Sequence, residues 1–435
     1  MSGYKDFPHV GKLKVALDIA GEAVSVGTLA RSADDGHIYF EYDKDFIDRK
    51  LELSPIHLDL RRGARTPKDD APFGGLFGLF DDSLPDGWGR RLLDRRLKDR
   101  NINSDDLTAL DRLSFVGTTG MGALTYEPAE MFEPRPGRLD LDALSEEAER
   151  VQEEFAEAEV DKLQDLQGSS GGARPKIMIG RNAVTGVLVE DFGRGLPAGF
   201  EPWIAKFRSK ANDPVHIGAE EYAYSLMAKA CDVEMSETAL LKGDKGNYFA
   251  VRRFDRTMEG RIHVHTACGL LHASHRYSSI DYTKLLKLTM LLTRDKTHVD
   301  QMFRRMIFNV LARNRDDHTK NHAFLMSSNG VWTPTPAYDL TLSTGMNGEH
   351  ALEIGGQGAN PSWPHVAEEG KRASISKGDA EAIFQEVKAA VERWPTYAEM
   401  AGLPEKRIEE VDYLLNARGT KPKEEVEASA APPSP

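Results

Sequence analysis

The stretch RNRDDHTKNHAF at residues 313–324, followed by AYDL at residues 337–340, is the most specific pattern in the chain. Asp316 and Asn321 stand five positions apart, and Asp339 follows the strand-like run HAFLM. Transfer of a phosphoryl group needs a carboxylate beside the attacking hydroxyl and oxygen ligands that hold Mg²⁺ on the phosphates. The pattern therefore predicts Asp316 as the acceptor of the hydroxyl proton, and Asn321 with Asp339 as the Mg²⁺ ligands.

Two other interpretations of this stretch stay open. Asn and Asp favour polar turns, so the segment is also typical of a plain turn after a helix. His318 and His322 stand four positions apart, which allows a metal site of another kind. The chain has no HExxH pattern and no nearby cysteine cluster, however, and both are common signs of a zinc site.

A loop rich in glycine and serine, GSSGGARPK, occupies residues 168–176. Glycines let main-chain amides approach phosphate oxygens, and successive amides form an anion-binding concavity. The loop lacks the GK[ST] ending of a Walker A motif. The loop contains Gly-x-Ser-x-Gly at 168–172, the pattern of the nucleophile elbow in α/β hydrolases. That elbow lies between a strand and a helix. Here the sequence predicts an acidic helix before the loop and a hairpin after it, which disfavours a hydrolase. A flexible linker remains the alternative to a phosphate-binding loop.

Two further segments fit a nucleotide site. Lys206 lies in the strand-like run WIAKF, where its amine could pair with phosphates as the strand lysine of protein kinases does, or where it is an ordinary edge-strand lysine. AVRRFDR at 250–256 could offer main-chain groups to adenine and the carboxylate of Asp255 to ribose, or could be an ordinary strand end. The order of all these segments is the order that a two-lobed kinase requires, which favours phosphoryl transfer.

The pattern of apolar residues predicts an α+β protein whose strand-rich half precedes a helical half. Strand-like runs begin within residues 12–60, and KIMIG with GVLVE predicts a hairpin after the Gly/Ser loop. Apolar residues at three- and four-residue steps predict a buried helix over 298–313. Further predicted helices lie at about 139–167, 218–230, 378–398 and 404–416, and the polar, Pro-rich tail 419–435 is predicted not to fold.

Composition limits the classes of protein that the chain can represent. The 435 residues are 40% hydrophobic and 29% charged, with a formal net charge of −13. A chain with this net charge repels phosphate backbones. Its one basic cluster, RRLLDRRLKDR at 90–100, predicts a solvated helix face, with Asp86 as a candidate cap of the helix. We therefore expect DNA contact only through a partner. No apolar run reaches the roughly 20 residues that span a bilayer, and the start lacks a signal-peptide core. Cys231 and Cys268 are predicted to be buried thiols of a cytoplasmic protein.

At these residues the chain resembles the HipA family of bacterial toxin kinases. The matching segments are SLPDGWG, SSGGARPK, WIAKF, RRFDR, NRDDHTKN and PAYDL, which extend from about residue 75 to residue 340. The resemblance implies a two-lobed kinase fold related to the phosphatidylinositol kinases, with an added N-terminal subdomain. The implied units are the N-terminal subdomain at 1–134, a kinase N-lobe at 135–272, a helical C-lobe at 273–418 and a disordered tail at 419–435.

The resemblance also implies a site for ATP and Mg²⁺. Asp316 would be the catalytic proton acceptor, and Ser169, or its neighbour Ser170, would be the loop serine that family members autophosphorylate. In the family this phosphorylation ejects the loop and blocks ATP binding. The implied nucleotide-contacting set is Gly171, Gly172, Ala173, Arg174, Lys176, Lys206, Arg252, Arg253, Phe254, Asp255, His318, Lys320, Asn321, Tyr338 and Asp339.

Partners are implied by the same resemblance. Family toxins phosphorylate aminoacyl-tRNA synthetases, notably glutamyl-tRNA synthetase, and are neutralised by HipB-like helix-turn-helix antitoxins that bind operator DNA. Arg252 stands where an acidic residue is often seen, and LLHASHRYSSIDY at 270–282 replaces a more acidic motif, which indicates another subgroup. Two other classes stay open: a small-molecule or lipid kinase with the same Asp/Asn/Asp machinery, and a non-catalytic co-repressor that acts with an antitoxin.

Overall fold

The computed structural model describes residues 5, 7–85, 87–130, 139–152, 174–193, 195–210, 213–275 and 280–416. They form the predicted α+β architecture. The strands are β1 (Lys12–Ile19), β2 (Glu22–Arg31), β3 (Ile38–Tyr42), β4 (Leu124–Glu127), β5 (Lys176–Asn182), β6 (Leu188–Glu190), β7 (Phe200–Lys206), β8 (Thr238–Lys242), β9 (Asn247–Arg252), β10 (Arg256–Thr257), β11 (Gly260–Arg261), β12 (His263–Thr266), β13 (Ala323–Met326) and β14 (Trp332–Pro334).

The helices are concentrated in the second half of the chain, as predicted. They are α1 (Lys44–Arg49), α2 (Gly78–Asp81), α3 (Gly87–Asp99), α4 (Ala109–Val116), α5 (Leu141–Gln152), α6 (Ile217–Ala230), α7 (Ala267–Leu271), α8 (Tyr282–Thr293), α9 (Lys296–Leu311), α10 (Trp363–Arg372), α11 (Lys377–Val391), α12 (Trp394–Met400) and α13 (Glu405–Asn416). Within the described ranges, none of these helices has the length and apolar character needed to cross a membrane.

The N-terminal sheet follows the alternation of apolar and polar residues in its strands. Alternate side chains from Leu13 to Ile19 in β1 are buried, as expected for a strand with one face on the core. β1 and β2 are antiparallel and are joined by a two-residue turn in which Ala20 and Gly21 have φ values of 51° and 77°. Positive φ at both central residues is the requirement of the hairpin turn that matches strand twist. The strand order is β3-β2-β1-β4.

The second sheet has five antiparallel strands in the order β6-β5-β7-β9-β8. The hairpin predicted from KIMIG and GVLVE is confirmed as β5 and β6. Ile177, Trp203 and Ala205 are buried on one face, in a core that includes residues of α5. Lys176 and Lys206 are register partners with the alternate orientation, so both project from the opposite face. Helix α6 packs near that face, and it carries the acid that Lys206 contacts.

The predicted buried helix is confirmed as α9, displaced by two residues from the expected bounds. Asp295 caps it by accepting a hydrogen bond from the amide of Thr297 (2.8 Å), which sets its start. The helix predicted at 378–398 is instead two helices, α11 and α12. Pro395 lies in the first turn of α12, where it needs no amide partner but cannot continue a preceding helix.

Other predicted elements are confirmed only as far as the described residues extend. The acidic helix is present as α5, and the rest of its predicted range lies outside the described residues, as do the tail 419–435 and the candidate cap Asp86. The basic cluster forms α3 with Leu92 and Leu97 buried, and Arg90 and Arg91 are exposed as predicted. Arg96 is buried, so the prediction of a solvated basic face holds only in part.

One hydrophobic core extends from the N-terminal sheet into the helical half. Helix α2 lies so close to α7 that a Cβ on Gly78 would stand 2.2 Å from the carbonyl oxygen of Gly269, so the contact requires a glycine at Gly78. Cys231 and Cys268 are free and buried, as predicted. The boundaries of the four units stay predictions.

Candidate active site

A chain of buried amide and hydroxyl groups fixes the loop that follows α9. Asn314 donates from Nδ2 to Oδ1 of Asn309 (3.0 Å), and Asn309 donates from Nδ2 to the hydroxyl of Tyr282 (2.9 Å). That hydroxyl donates to Oδ2 of Asp317 (2.8 Å). The loop therefore leaves α9 along one defined path before the short 3₁₀ turn Thr319–Asn321.

Asp317 is fully buried, and both of its carboxylate oxygens accept hydrogen bonds. Oδ2 also lies 3.0 Å from Nδ1 of His350, and Oδ1 accepts from the main-chain amides of Ala351 (2.9 Å) and Leu352 (3.4 Å). The sequence pattern assigned no role to Asp317. The presence of two adjacent aspartates was the sign in the sequence that one of them could have a structural role. A buried carboxylate needs several donors to offset its lost hydration, and Asp317 has them.

Asp316 is open to solvent, with 65% of its side chain exposed. Protein atoms around the carboxyl raise the pKa of Asp316 from its ordinary value; His318 opposes that rise, and the negative charge of Asp339 adds to it. Nε2 of His318 lies 3.9 Å from Oδ1 of Asp316. A carboxylate with a raised pKa that a substrate can reach is suited to accept a proton.

Asn321 and Asp339 lie beside Asp316 and have the chemistry of Mg²⁺ ligands. Nδ2 of Asn321 donates to the main-chain oxygen of Asp316 (2.7 Å), which leaves the amide oxygen for a ligand. Asp339 has a φ of 52°, a left-handed conformation that Asp adopts more readily than most residues. Burial opposes its ionisation, but Lys206 and Lys176 outweigh that effect and hold the pKa of Asp339 well below its ordinary value. An amide oxygen and an ionised carboxylate fit Mg²⁺.

The alternative of a zinc site at His318 and His322 gains no support. His322 is 1% exposed, and burial lowers the pKa of its ring to about 3. The 3₁₀ turn Thr319–Asn321 separates the two histidines, so they do not share a helix face. Over the part of the chain that the structure describes, no group of three or more His, Cys, Asp or Glu side chains is arranged to hold a metal ion.

Lys206 connects the site to helix α6 through two acids. Its Nζ donates to Oε1 of Glu221 (3.2 Å) and to Oδ1 of Asp339. Glu221 also accepts from Nη1 of Arg174 (2.7 Å), whose Nη2 lies 2.9 Å from Oδ1 of Asp213. Burial opposes the charge on Lys206, yet Asp339 and Glu221 raise the pKa of its amine. A strand lysine paired with a helix glutamate is part of the active arrangement of protein kinases.

Glu221 was missing from the residues predicted from the sequence. Glu220 and Glu221 are both buried in helix α6. The sign available in the sequence was a pair of acids within a mainly apolar helix. Glu220 accepts from Nε of Arg407 (2.9 Å) in α13 and is occupied there. Only the distance between Glu221 and Lys206 shows which of the two acids belongs to the site.

Phe254 and Tyr338 lie against each other, with ring centroids 5.7 Å apart. The hydroxyl of Tyr338 donates to the main-chain oxygen of Lys320 (2.6 Å), which ties the segment of Asp339 to the loop of Asn321. The predicted adenine-binding strand end therefore lies next to the segments that carry the predicted metal ligands. Both Phe254 and Tyr338 are predicted nucleotide contacts.

Asp255 has a different environment from the one predicted. Its carboxylate accepts from Nη2 of Arg253 (2.8 Å), Nη1 of Arg256 (2.6 Å) and the amide of Gly122 (2.8 Å). Arg256 also donates to the carbonyl oxygens of Gly120 and Gly122 (2.9 Å each). Because Asp255 is fully buried among these partners, the structure does not support its predicted contact with ribose.

The neighbouring arginines constrain how this strand end could bind adenine. The amides of Arg252 and Arg253 donate to main-chain oxygens of Glu237 and Pro202 (2.9 Å each). The Arg252 side chain pairs with Glu201 at 3.0 Å. Main-chain recognition by these two arginines would therefore use their carbonyl oxygens.

The Gly/Ser loop itself lies outside the described residues. It contains Ser169, Ser170, Gly171, Gly172 and Ala173. Their predicted roles in phosphate binding and autophosphorylation stay predictions. The described residues that follow, Arg174 and Lys176, both contribute positive charge at Asp339.

Family models match two parts of the chain. The HipA N-terminal domain matches residues 17–127, and the HipA-like C-terminal domain matches residues 168–394, which is more than half of the 435 residues. The chain belongs to the HipA family. The resemblance found at its motifs is confirmed.

The individual relatives are distant in sequence. A Sinorhizobium fredii protein named provisionally as a kinase, Y4dM, is 25% identical over 355 residues, 78% of each chain. The serine/threonine-protein kinase toxin HipA of Shewanella oneidensis is 23% identical over 342 residues, 72% of each chain. The solved complex of Shewanella oneidensis HipA with HipB and its operator DNA matches with a TM-score of 0.65 and 18% identity, over 93% of this chain and 95% of that chain. The two chains share the HipA fold.

Proposed function

We propose that this HipA-family chain is a serine/threonine protein kinase toxin of a toxin–antitoxin system. The observation that carries the proposal is the convergence of Lys206, Asp316 and Asp339. Lys206 contacts Asp339 directly, and the charge of Asp339 acts on Asp316, although the three residues are far apart in the chain. Kinase names among the relatives support the same assignment.

Positive charge would hold the phosphates of ATP. Lys206, Lys176 and Arg174 all act on the carboxylate of Asp339, so phosphates bound beside that carboxylate would meet positive charge from these three side chains. Asn321 and Asp339 would hold Mg²⁺, which neutralises charge on the phosphate oxygens when bound. Glu221 would keep Lys206 directed towards this point.

Asp316 is the proposed proton acceptor for the reaction. The substrate hydroxyl oxygen forms a bond to the γ-phosphorus, the bond from that phosphorus to the bridging oxygen of ADP breaks, and the hydroxyl proton passes to the Asp316 carboxylate. The raised pKa of Asp316 makes its carboxylate more basic than an ordinary aspartate. Its exposure leaves room for a protein side chain to approach.

Partners are proposed on the basis of the family. The Shewanella oneidensis complex contains HipA with HipB and operator DNA. We propose a HipB-like helix-turn-helix antitoxin as the partner of this chain, with DNA reached only through that complex, in keeping with the net charge of −13. The proposed substrate is a protein serine, with an aminoacyl-tRNA synthetase as the family precedent, and the proposed compartment is the cytoplasm.

Asp316→Ala tests the central role in the full-length protein. Transfer of labelled phosphate from ATP should fall by about 100- to 10,000-fold, the range expected for a lost general base. The unfolding temperature should hardly change, because the side chain is exposed. Asp300→Ala, at an exposed acid of α9, is the matched control and should retain activity. Wild-type activity in Asp316→Ala would remove this residue from its proposed role.

Calorimetric titration with ATP, with and without Mg²⁺, separates the remaining classes. A kinase should bind ATP more tightly with Mg²⁺, whereas a non-catalytic co-repressor should show no such dependence and no transfer. Labelling of a lipid or a small molecule in place of protein would favour that alternative kinase class.

Ser169→Ala tests the proposed autophosphorylation. Mass spectrometry after incubation with ATP should find the loop phosphate lost in Ser169→Ala and retained in Ser170→Ala. The reverse result would move the modification to Ser170.

A further inference from the structure

Two adjacent acids of the N-terminal domain, Asp81 and Asp82, contact the kinase part of the chain. They stand at the end of α2, within the residues that the HipA N-terminal domain matches. The side chain of Asp82 is 7% exposed. Burial opposes its ionisation, but His265 and Lys320 outweigh that effect and hold the pKa of Asp82 below its ordinary value. The N-terminal domain therefore presents a buried negative charge to the C-terminal domain.

The carboxylate of Asp82 is bound by the end of strand β12. Oδ2 accepts from the amide of Thr266 (2.7 Å) and lies 2.6 Å from Nδ1 of His265, whose Nε2 lies 3.0 Å from Oγ of Ser54. Oδ1 accepts from the hydroxyl of Thr266 (2.7 Å), and that hydroxyl oxygen accepts from the amide of Gly269 (3.0 Å). Both carboxylate oxygens thus fix the point where β12 ends and α7 begins.

That point is joined to the turn that carries Asn321, a predicted Mg²⁺ ligand. Strand β12 pairs with β13, which follows the turn. The amide of Ala267, the residue after Thr266, donates to the carbonyl oxygen of His322 (2.7 Å), and His322 follows Asn321 in the chain. Two hydrogen bonds therefore connect Asp82 to the residue next to this ligand.

Asp81 contacts the turn on the other side of Asn321 in the chain. Oδ2 of Asp81 lies 3.8 Å from Nζ of Lys320, the residue that precedes Asn321. Within the turn, Nδ2 of Asn321 donates to the main-chain oxygen of Asp316 (2.7 Å). The turn is therefore held by its own asparagine on the side of Asp316 and by contacts from the N-terminal domain on both flanks of that asparagine.

We propose that Asp82 is a positioning residue for phosphoryl transfer, which holds the amide of Asn321 beside the carboxylate of Asp339. This inference rests on the proposed kinase function and adds a residue of the N-terminal domain to it. Mg²⁺ requires nearly octahedral coordination, so a small displacement of one protein ligand weakens its binding. Asp82 acts through Thr266 and the residue that follows it, and is not itself a ligand.

This role differs in its consequences from a role in stability alone. Removing a group that orients a metal ligand typically lowers metal affinity or activity by about 10- to 100-fold. The lower end is expected for Asp82, because it acts on the turn through two hydrogen bonds. A purely structural acid would lower the unfolding temperature without changing how strongly Mg²⁺ promotes the binding of ATP.

Calorimetric titration of full-length Asp82→Asn with ATP measures the effect without relying on catalysis. The affinity for ATP with Mg²⁺ should fall by about 10-fold, whereas the affinity without Mg²⁺ should stay within about twofold of the wild type. Asp59→Asn, at an acid of the same domain that is 53% exposed, is the matched control and should resemble the wild type in both titrations. Equal losses with and without Mg²⁺, or no loss in either, would overturn the inference. A wild type that binds no ATP would instead contradict the proposed kinase function.

Thr266 supplies a second pair of variants, which decides the question if Asp82→Asn does not fold. Thr266→Val removes the hydroxyl that donates to Asp82, whereas Thr266→Ser keeps it. The Mg²⁺ concentration that gives half of the maximal rate of phosphate transfer should rise by about 5- to 10-fold in Thr266→Val, the equivalent of roughly one hydrogen bond. Thr266→Ser should restore the wild-type value. The same Mg²⁺ requirement in both variants would refute the connection through Thr266.

Discussion

Replacing Asp317 with asparagine should lower the free energy of unfolding far more than the same replacement at its neighbour, Asp316. Asp317 is fully buried and accepts four hydrogen bonds, two on each carboxylate oxygen. Asp316 is 65% exposed and carries the proposed chemistry. Two adjacent acids thus separate stability from activity.

The magnitude follows from which bonds an asparagine at 317 can keep. Its oxygen can retain the amides of Ala351 and Leu352, which cannot reverse. Its NH₂ group then faces the donors on Tyr282 and His350, so two bonds are lost. Hydrogen bonds to charged groups contribute about 1.5–3 kcal/mol each, which gives a loss of about 3–6 kcal/mol. The lower end is expected, because the Tyr282 hydroxyl can turn and accept from the new NH₂ group.

Urea unfolding at pH 7.5, followed by tryptophan fluorescence and by circular dichroism, measures this loss. Asp317→Asn should lower the free energy of unfolding by about 3 kcal/mol, a large part of the 5–15 kcal/mol that is typical of proteins. Asp316→Asn should stay within about 0.5 kcal/mol of the wild type while losing phosphate transfer. A loss under about 1 kcal/mol in Asp317→Asn would refute the reasoning about the buried network.

Three other outcomes are expected. Glu221→Gln should lower kcat/KM for ATP by about 10–100-fold, because a neutral amide orients the Lys206 amine less firmly; Glu386→Gln, at an exposed acid, is the control. In a pH–rate profile, kcat/KM should fall towards acid pH with an apparent pKa above that of an ordinary aspartate. The fall is expected because Asp316 protonates at its raised pKa, while Asp339, whose pKa is lowered, stays ionised. An apparent pKa equal to that of an ordinary aspartate would contradict the assignment of Asp316. Asp255→Ala should cost about 3–5 kcal/mol in urea unfolding at pH 7, since it removes the acid that pairs with the buried Arg253 and the partly buried Arg256, and a loss under about 1 kcal/mol would contradict that role. The pKa of Asp255 is lowered in the folded state, so its contribution to the free energy of unfolding is fully present above the ordinary carboxyl pKa. That contribution is lost as the pH falls through the pKa of the folded state.

Local patterns predicted most elements of this fold correctly. The period of apolar residues in α9 and the hairpin of β5 and β6 depend on short-range rules, and the structure confirms both. The break between α11 and α12 was missed because an apolar pattern can continue across a proline while the main chain does not. Boundaries therefore required the structure.

The site was predictable where spacing carries the chemistry and not where packing decides. Asp316, Asn321 and Asp339 were identified from spacing and order, and the structure brings them together. Glu221 and Asp317 required three-dimensional distances, because each sits beside a second acid with a different partner. Asp255 was assigned to ribose because sequence does not reveal that Arg253 and Arg256 enclose it.

The hydrogen bonds from Arg256 to the carbonyl oxygens of Gly120 and Gly122 limit which parts of HipA relatives can be exchanged. The strand end beside the candidate nucleotide site is anchored, through Asp255, to a loop that belongs to the N-terminal region. A chimera that joins the first domain of one relative to the kinase part of another must carry a loop and an arginine that still fit each other. The two regions should therefore have changed together during evolution, even where neither touches ATP.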